Sequence, residues 1–181
     1  NINQTEQSGS LAVGNTASFN GGDVDLLQAG NTFGGNVILN VDGHAQVGTS
    51  GDLLVSGRAG AATFNADSVG QGDAESDALL VLGQTRINNS NTVELNNEAN
   101  QFGSQVILQN AGTVNLKGNG TLTVQGTTGL TALATGASGQ IVVNGLTTEN
   151  LTVTASSINQ TDFLNVTGNS ILNAENIDLT H

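Results

Sequence analysis

The carboxylates are the residues of this sequence that could take part in the most kinds of chemistry, and three of them occupy the same sequence pattern. Asp25, Glu94 and Asp178 each stand between two aliphatic residues of a strand-like triplet. Two carboxylates that flank a glycosidic bond could hydrolyse it, and Asp23 is the nearest second carboxylate to Asp25. Side chains alternate along a strand, so an acid between two inward residues faces outward. This pattern predicts an outward-facing acidic row rather than a catalytic pair.

A denser group of acids, Asp67, Asp73, Glu75 and Asp77, interrupts an otherwise Ala- and Gly-rich segment. Calcium prefers several oxygen ligands, including carboxylates and backbone carbonyls. The group has neither the spacing of an EF-hand loop nor a Gly-Gly-x-Gly-x-Asp repeat. It is therefore a weak calcium candidate, and we expect no other metal site and no cofactor.

The two histidines are separated by most of the chain. His44 stands beside a turn glycine and His181 is the last residue of the sequence. Metal sites and catalytic triads need several such groups together. Neither histidine is therefore expected to be catalytic or to bind a metal, and we predict no enzymatic activity.

Charge and composition limit the partners. The net charge is −12 with only three Lys and Arg residues, and the 181 residues contain no Pro, Cys, Met, Trp or Tyr. Nucleic acids and anionic membranes attract clustered cations, so neither is expected as a partner. A transmembrane helix needs about 18 or more consecutive apolar residues, and the sequence has no such run, so no membrane insertion is predicted.

Three apolar-x-apolar triplets, beginning at Val106, Val114 and Leu122, stand eight residues apart in the middle of the chain. Each triplet can point two residues into a core while its middle residue faces out. Gly, Asn and Ala fill the gaps as turn formers. Three short strands joined by tight turns are one coil of a solenoid.

The same stretch occurs earlier in the chain. A shift of 69 residues superposes residues 11–57 on 80–126 without a gap, and it matches Asn31 with Asn100 and Gly57 with Gly126. A third partial copy begins near residue 164. Repetition of one supersecondary unit is the signature of a solenoid, and about three coils of roughly 23 residues would fill each repeat.

The sequence therefore predicts an all-β chain, a parallel β-helix with about three short strands per coil, in which residues 1–181 form a single segment. A closed β-sandwich is the alternative, but a constant ungapped shift favours stacked coils. The residues predicted to face the core are Phe33, Val37, Leu39, Phe102, Val106, Leu108, Val114, Leu116, Leu122 and Val124.

Ile38 and Ile107 occupy the same outward position in the first two copies. Each stands between the two inward residues of a Val-Ile-Leu triplet. Either a neighbouring loop covers these side chains, or they are exposed apolar residues that could contact a partner.

The order of these motifs resembles the repeats of filamentous-haemagglutinin-like exoproteins, the secreted partners of two-partner secretion systems in Gram-negative bacteria. The segments that carry the resemblance are Ile2-Asn3-Gln4, Leu11, Val13, Phe19-Asn20, Val24-Asp25-Leu26, residues 29–35, Val37, Leu39 and residues 51–57. The resemblance implies a right-handed parallel β-helix that acts as an adhesin, a toxin stalk or a filament. Similar repeats in single-chain autotransporters leave the secretion route open. The Asn-Pro-Asn motif of the family's secretion domain is not present in a chain without Pro.

The functional expectation that follows is a non-catalytic stalk segment of a much longer secreted or cell-surface virulence protein. The resemblance implies two kinds of partner. One is a receptor on a host or neighbouring cell, for which a glycan is a candidate, and the other is an outer-membrane transporter that exports the chain. The alternative is a carbohydrate-active β-helix, either a glycosidase or lyase or a glycan-binding module. A lyase would need cations that neutralise a uronate, and three scattered Lys and Arg residues supply few. Two carboxylates converging in a groove would favour a glycosidase.

Overall fold

The computed structural model describes residues 1–5, 9–72 and 74–180, and these residues are almost entirely strands and turns. The strands of the first half are β1 (Ile2–Asn3), β2 (Ala12–Val13), β3 (Ala17–Gly21), β4 (Val24–Leu26), β5 (Thr32–Phe33), β6 (Val37–Gly48), β7 (Asp52–Asn65), β8 (Ser68–Gly70), β9 (Leu79–Val81) and β10 (Thr85–Asn88). Those of the second half are β11 (Thr92–Leu95), β12 (Gln101–Phe102), β13 (Val106–Gly118), β14 (Thr121–Thr135), β15 (Gln140–Thr148), β16 (Asn150–Thr154), β17 (Ser157–Gln160), β18 (Leu164–Val166), β19 (Ser170–Asn173) and β20 (Asn176–Asp178). The single helical element among the described residues is a 3₁₀ turn, Glu75–Asp77.

The strands pair in parallel and stack into three sides of a solenoid, which confirms the predicted fold class. The first side contains the column Ile2, Val24, Ala45, Ala62, Thr85, Val106, Val124, Val143 and Gln160. The second side contains Gly21, Val41, Ala59, Val81 and Phe102. The third side contains Leu53, Val69, Val93, Val114, Thr131, Leu151 and Ser170. The nine levels of the first column span about 38 Å at the usual strand separation of about 4.8 Å.

The eight coils from Ile2 to Gln160 average about 20 residues, fewer than the 23 predicted, and they vary in length. One coil takes 17 residues, from Ala45 to Ala62, and the next takes 23, from Ala62 to Thr85. The long strands β6, β7, β13 and β14 bend around corners of the solenoid, where irregularities shift their register. Loops and bulges at the corners therefore set the coil length, while the stacked strand segments keep their alignment.

The 69-residue repeat does not contain a whole number of coils, so the expectation of three coils per repeat is wrong. Three coils from Val24 end at Thr85, and the repeat ends eight residues later at Val93, on the third side. In the same way Val37 lies in a strand of the second side, whereas its repeat partner Val106 lies on the first. Each repeat advances three coils and one further side.

The interior is filled by the alternating residues of all three sides. The eight aliphatic residues predicted to face the core are buried in the structure, namely Val37, Leu39, Val106, Leu108, Val114, Leu116, Leu122 and Val124. Phe102 is also buried, while Phe33 is only partly covered and meets Phe19 edge to face, with ring centroids 6.4 Å apart. Apolar side chains stacked along the axis thus bury one another between successive coils, which is the main favourable term in a solenoid.

Two buried amides explain why Asn31 and Asn100 recur in the repeat. The side chains of Asn31 and Gln4 exchange two hydrogen bonds of 2.7 and 2.8 Å, and those of Asn100 and Gln71 exchange two of 2.8 Å. Asn100 also donates to the Leu95 carbonyl and accepts from a backbone N–H. A buried amide must have hydrogen-bond partners for its N–H groups and its oxygen. The Gln–Asn pairs supply these partners at the corner where a loop leaves the stack.

Candidate functional site

The predicted acidic row does not exist, because the repeat rotates around the solenoid. Asp25 lies on the first side, between Asn3 and Gln46. Glu94 lies on the third side, with Gly70 and Asn115 as its neighbours. The three triplet acids do face outward, but Glu94 lies on another side from Asp25. Asp178 pairs with Asn159 at the opposite end of the first-side stack from Asp25. The same position in successive copies therefore gives no shared acidic surface.

Two pairs of carboxylates each line a common groove, Glu75 with Glu98 in one and Asp52 with Glu94 in another. Asp52 and Glu94 border a groove of about 270 Å³ on the third side. Asp52 stands two levels below Thr92, so the Cα atoms of the two acids are roughly 12 Å apart by strand geometry. Asp52 accepts a 2.6 Å hydrogen bond from the Ser68 hydroxyl. Both acids are exposed, whereas a general acid at neutral pH is usually made by an apolar, desolvated surrounding.

The residues of the calcium candidate do not converge in the structure. Asp73 lies outside the described residues. Asp67 borders a different groove from Glu75 and accepts a hydrogen bond from the Asn91 amide. Asp77 accepts from the backbone N–H of Ala74. In the described part of the chain, no three Asp, Glu or His residues are placed to bind one metal ion.

His44 belongs to the surface of the first side. Its Nε2 lies 2.9 Å from the hydroxyl of Thr63 on the next coil, and its backbone N–H donates to Asp23. The imidazole is thus hydrogen-bonded to a hydroxyl of the neighbouring coil. His181 lies outside the described residues.

Ile38 and Ile107 lie on different sides of the solenoid, again because the repeat rotates. Ile38 is 37% exposed on the second side, between Ser18 and Ser56. Ile107 is half-buried on the first side, between Arg86 and Gln125. The two side chains therefore cannot form one apolar patch.

Two adjoining polar grooves on the first side form one recess of the described surface. Their volumes are about 540 and 560 Å³, and both are bordered by Asn89 and Gln109. We call this recess the amide groove and define it by Asn65, Asn88, Asn89, Gln109 and Asn110. The sequence reasoning missed it.

Local backbone geometry positions the side chains of the amide groove. Asn65, Asn88 and Gln109 are paired in register on successive coils, at spacings of 23 and 21 residues. Asn89 and Asn110 follow them at the corner with φ of 54° and 55°, a left-handed conformation that Asn tolerates better than most residues. Their side chains then meet across coils, since Asn110 Nδ2 donates to Asn89 Oδ1 over 3.2 Å.

One amide in the groove is only half satisfied. Asn88 Nδ2 donates to Asn65 Oδ1 over 2.6 Å. The Oδ1 atom of Asn88 is buried and has no hydrogen-bond partner. A buried acceptor without a partner costs free energy. Protein atoms cover this oxygen, so a ligand in the groove would contact the partly exposed remainder of the Asn88 side chain.

Comparison with known proteins addresses the repeats directly. A family model described as repeats of unknown function, DUF5649, matches residues 1–40, 42–109 and 132–181. The chain belongs to the DUF5649 family. The unmatched residues 110–131 of this DUF5649 chain are still part of the solenoid, because Ala111 pairs with Thr128 and Thr113 with Leu130. No curated protein and no solved structure matches the chain.

No helix among the described residues is long and apolar enough to cross a membrane.

Proposed function

We propose that this DUF5649 chain is a non-catalytic structural segment of a large secreted or surface-exposed bacterial protein, in the manner of the filamentous-haemagglutinin-like exoproteins that its repeats resemble. The observation that carries the proposal is the stack of nine levels on one side, with strands paired in register from Ile2 to Gln160. A solenoid of this kind is a rigid rod, because each coil is fixed by its neighbours. A rod suits a spacer between a surface and a contact region.

The amide groove is the contact region that this function would use. Its side chains offer paired donors and acceptors at fixed positions, which suits the hydroxyl groups of a glycan. Its walls carry few charges, so recognition would depend on hydrogen bonds rather than on electrostatic attraction. A receptor glycan on a host or bacterial surface is the partner proposed, and export would use an outer-membrane transporter.

Binding of the purified chain to a panel of neutral and acidic glycans tests this role. Asn88→Ala removes the amide whose oxygen has no partner, and Asn165→Ala changes an exposed amide in β18, a strand of the last coil, and is the matched control. We expect Asn88→Ala to lose most of the binding and Asn165→Ala to keep it. Equal binding by both variants, or none by the wild-type chain, would remove the groove from the proposal.

A glycosidase is the second candidate, and the shared groove of Asp52 and Glu94 is the observation in its favour. Turnover of any polysaccharide by the wild-type chain, lost in both Asp52→Asn and Glu94→Gln, would replace the structural function with an enzymatic one. The exposure of both acids leads us to expect no turnover.

A further inference from the structure

Three Asn-Gly pairs occur in the chain, namely Asn20-Gly21, Asn119-Gly120 and Asn144-Gly145. Such a pair can react with itself, because glycine has no Cβ to shield its backbone nitrogen from the side-chain carbonyl carbon of the preceding asparagine. The reaction requires that the side-chain amide and the peptide group between the two residues can both change conformation. The surroundings of each pair in the fold therefore decide which of the three can react.

The pair Asn20-Gly21 is held in β3. Its two residues pair in register with Asn40 and Val41 of β6 on the next coil. Asn20 Oδ1 accepts a hydrogen bond of 3.0 Å from Asn40 Nδ2, and Asn20 Nδ2 donates to the Ser18 hydroxyl over 3.3 Å. A rotation of this amide towards Gly21 would break both hydrogen bonds and disturb the strand.

The pair Asn144-Gly145 is held in β15, and the Asn144 side chain is partly buried. Asn144 Nδ2 donates to Gln105 Oε1 over 3.2 Å, and Asn144 Oδ1 accepts from the Thr161 hydroxyl over 3.2 Å. Both ends of this side-chain amide are thus bound to residues of other coils.

The pair Asn119-Gly120 forms the turn between β13 and β14, and both residues are exposed. Two backbone hydrogen bonds hold the turn, from the Asn119 N–H to the Asn100 carbonyl (2.7 Å) and from the Gln140 N–H to the Gly120 carbonyl (3.0 Å). The peptide group between Asn119 and Gly120 has no hydrogen bond to any residue that the structure describes, and neither has the Asn119 side chain. Gly120 has φ of +86°, and nothing lies within 4 Å of a Cβ built on it. This pair therefore has the freedom that the other two lack.

We propose that Asn119 is a site of spontaneous deamidation and isomerisation, and that the fold protects Asn20 and Asn144. The Gly120 backbone nitrogen forms a bond to the side-chain carbonyl carbon of Asn119 and gives up its proton, while the bond from that carbon to Nδ2 breaks and the nitrogen leaves as ammonia. The product is a succinimide, a five-membered ring. Water then adds to one of the two ring carbonyl carbons and breaks its bond to the Gly120 nitrogen, which regains a proton. The sequence of steps consumes one water and no oxidant, and it leaves either aspartate or isoaspartate at position 119.

Isoaspartate would disturb the stack more than aspartate. It routes the main chain through the former side chain and lengthens the backbone by one methylene group, between the two hydrogen bonds that join this turn to Asn100 and Gln140. Each coil of a solenoid is stabilised by its neighbours. Isomerisation at Asn119 should therefore loosen the solenoid at this corner and lower Tm.

Peptide mass spectrometry of the chain during incubation in mildly alkaline buffer tests the site, with isoaspartyl methyltransferase labelling to measure isoaspartate. The folded wild-type chain should lose the Asn119 amide at least about tenfold faster than the amides of Asn20 and Asn144, because each of those two holds hydrogen bonds that must open first. In the guanidinium-denatured chain, which lacks these bonds, the three pairs should react at similar rates. That comparison separates the effect of the fold from the effect of the local sequence.

Asn119→Gln is the matched variant, because it keeps an exposed amide in the turn but lengthens the side chain so that the five-membered ring cannot form. It should fold with the wild-type Tm, form no isoaspartate at this turn, and keep its Tm during an incubation that lowers the Tm of the wild-type chain. Equal rates at the three pairs of the folded chain, or an intact Asn119 amide after the denatured chain has reacted, would overturn the proposal. An equal fall of Tm in Asn119→Gln would show that the loss of stability arises elsewhere and would overturn the link between Asn119 and the stack.

Discussion

Replacement of Thr85 by Val should make the protein more stable, although it removes a polar group from a natural sequence. Thr85 is fully buried on the first side, between Ala62 and Val106, and its hydroxyl has no hydrogen-bond partner. Leaving a buried hydroxyl unpaired costs about 1–3 kcal/mol. Val has nearly the same shape, and its additional methyl group gains up to about 0.8 kcal/mol from burial. We expect Thr85→Val to raise the free energy of unfolding by about 1–3 kcal/mol.

Thr131→Val is the matched comparison, because Thr131 is also a buried inward threonine. Its hydroxyl lies 2.6 Å from that of Thr128 and 3.0 Å from that of Thr148. Each hydrogen bond contributes about 1 kcal/mol, so the loss of two exceeds the gain from the added methyl, and the variant should be destabilised by about 1–2 kcal/mol.

Thermal melts followed by circular dichroism can decide between the two effects. For a chain of this size 1 kcal/mol shifts Tm by about 2–4 °C, so Thr85→Val should raise Tm by roughly 2–12 °C and Thr131→Val should lower it. A shift of the same sign in both would refute the reasoning. Destabilisation by Thr85→Val in particular would mean that its hydroxyl has a partner and that β10 does not face the core in the described register.

Four further outcomes are expected in the same melts. Val106→Asp should lower the free energy of unfolding by about 4 kcal/mol or more, since it buries an unpaired charge. Thr113→Asp should cost little, because Thr113 is exposed in β13. Equal melting of the two variants would mean that the inward register is wrong by one residue. Gly126→Ala should lower the free energy of unfolding by at least about 2 kcal/mol, because Gly126 has φ of +135° and an added Cβ would meet the Leu108 carbonyl. Gly136→Ala, where an added Cβ meets open space, should be neutral. Equal losses in both variants would contradict the close approach of Gly126 to Leu108. Asn100→Ala, which breaks the buried amide pair, should cost about 3 kcal/mol, and an unchanged Tm would mean that the pair contributes nothing. Calcium added in excess of a chelator should leave Tm unchanged, whereas a rise of several degrees would restore the calcium site.

The sequence predicted the solenoid and its inward residues because both depend on local alternation. A triplet such as Val106 to Leu108 specifies which residues face in, wherever the strand lies. The sequence could not predict the number of coils per repeat, because coil length varies. The coil from Ala45 to Ala62 is six residues shorter than the one from Ala62 to Thr85. The corners determine the coil length, and the same turn residues are compatible with loops of several lengths.

The amide groove escaped the sequence reasoning for a related reason. Asn88 aligns in the 69-residue repeat with Phe19, an inward residue at the N-terminal end. A search for positions that recur in both copies therefore passes over it. The useful signal was the recurrence of amides at coil spacing rather than at repeat spacing, in Asn65, Asn88 and Gln109.

Rotation of the repeat by one side also has an electrostatic effect. Parallel stacking places equivalent residues of adjacent coils about 4.8 Å apart, and a repeat of whole coils would tend to collect its acids on one side. Because the repeat is a third of a coil longer, Asp25 lies between Asn3 and Gln46, and Glu94 lies between Gly70 and Asn115. Like charges directly opposite each other destabilise a sheet. A repeat of three whole coils would place equivalent acids about 14 Å apart on one side. The extra third of a coil moves Glu94 to a different side from Asp25, which separates these two acids further in a chain of net charge −12.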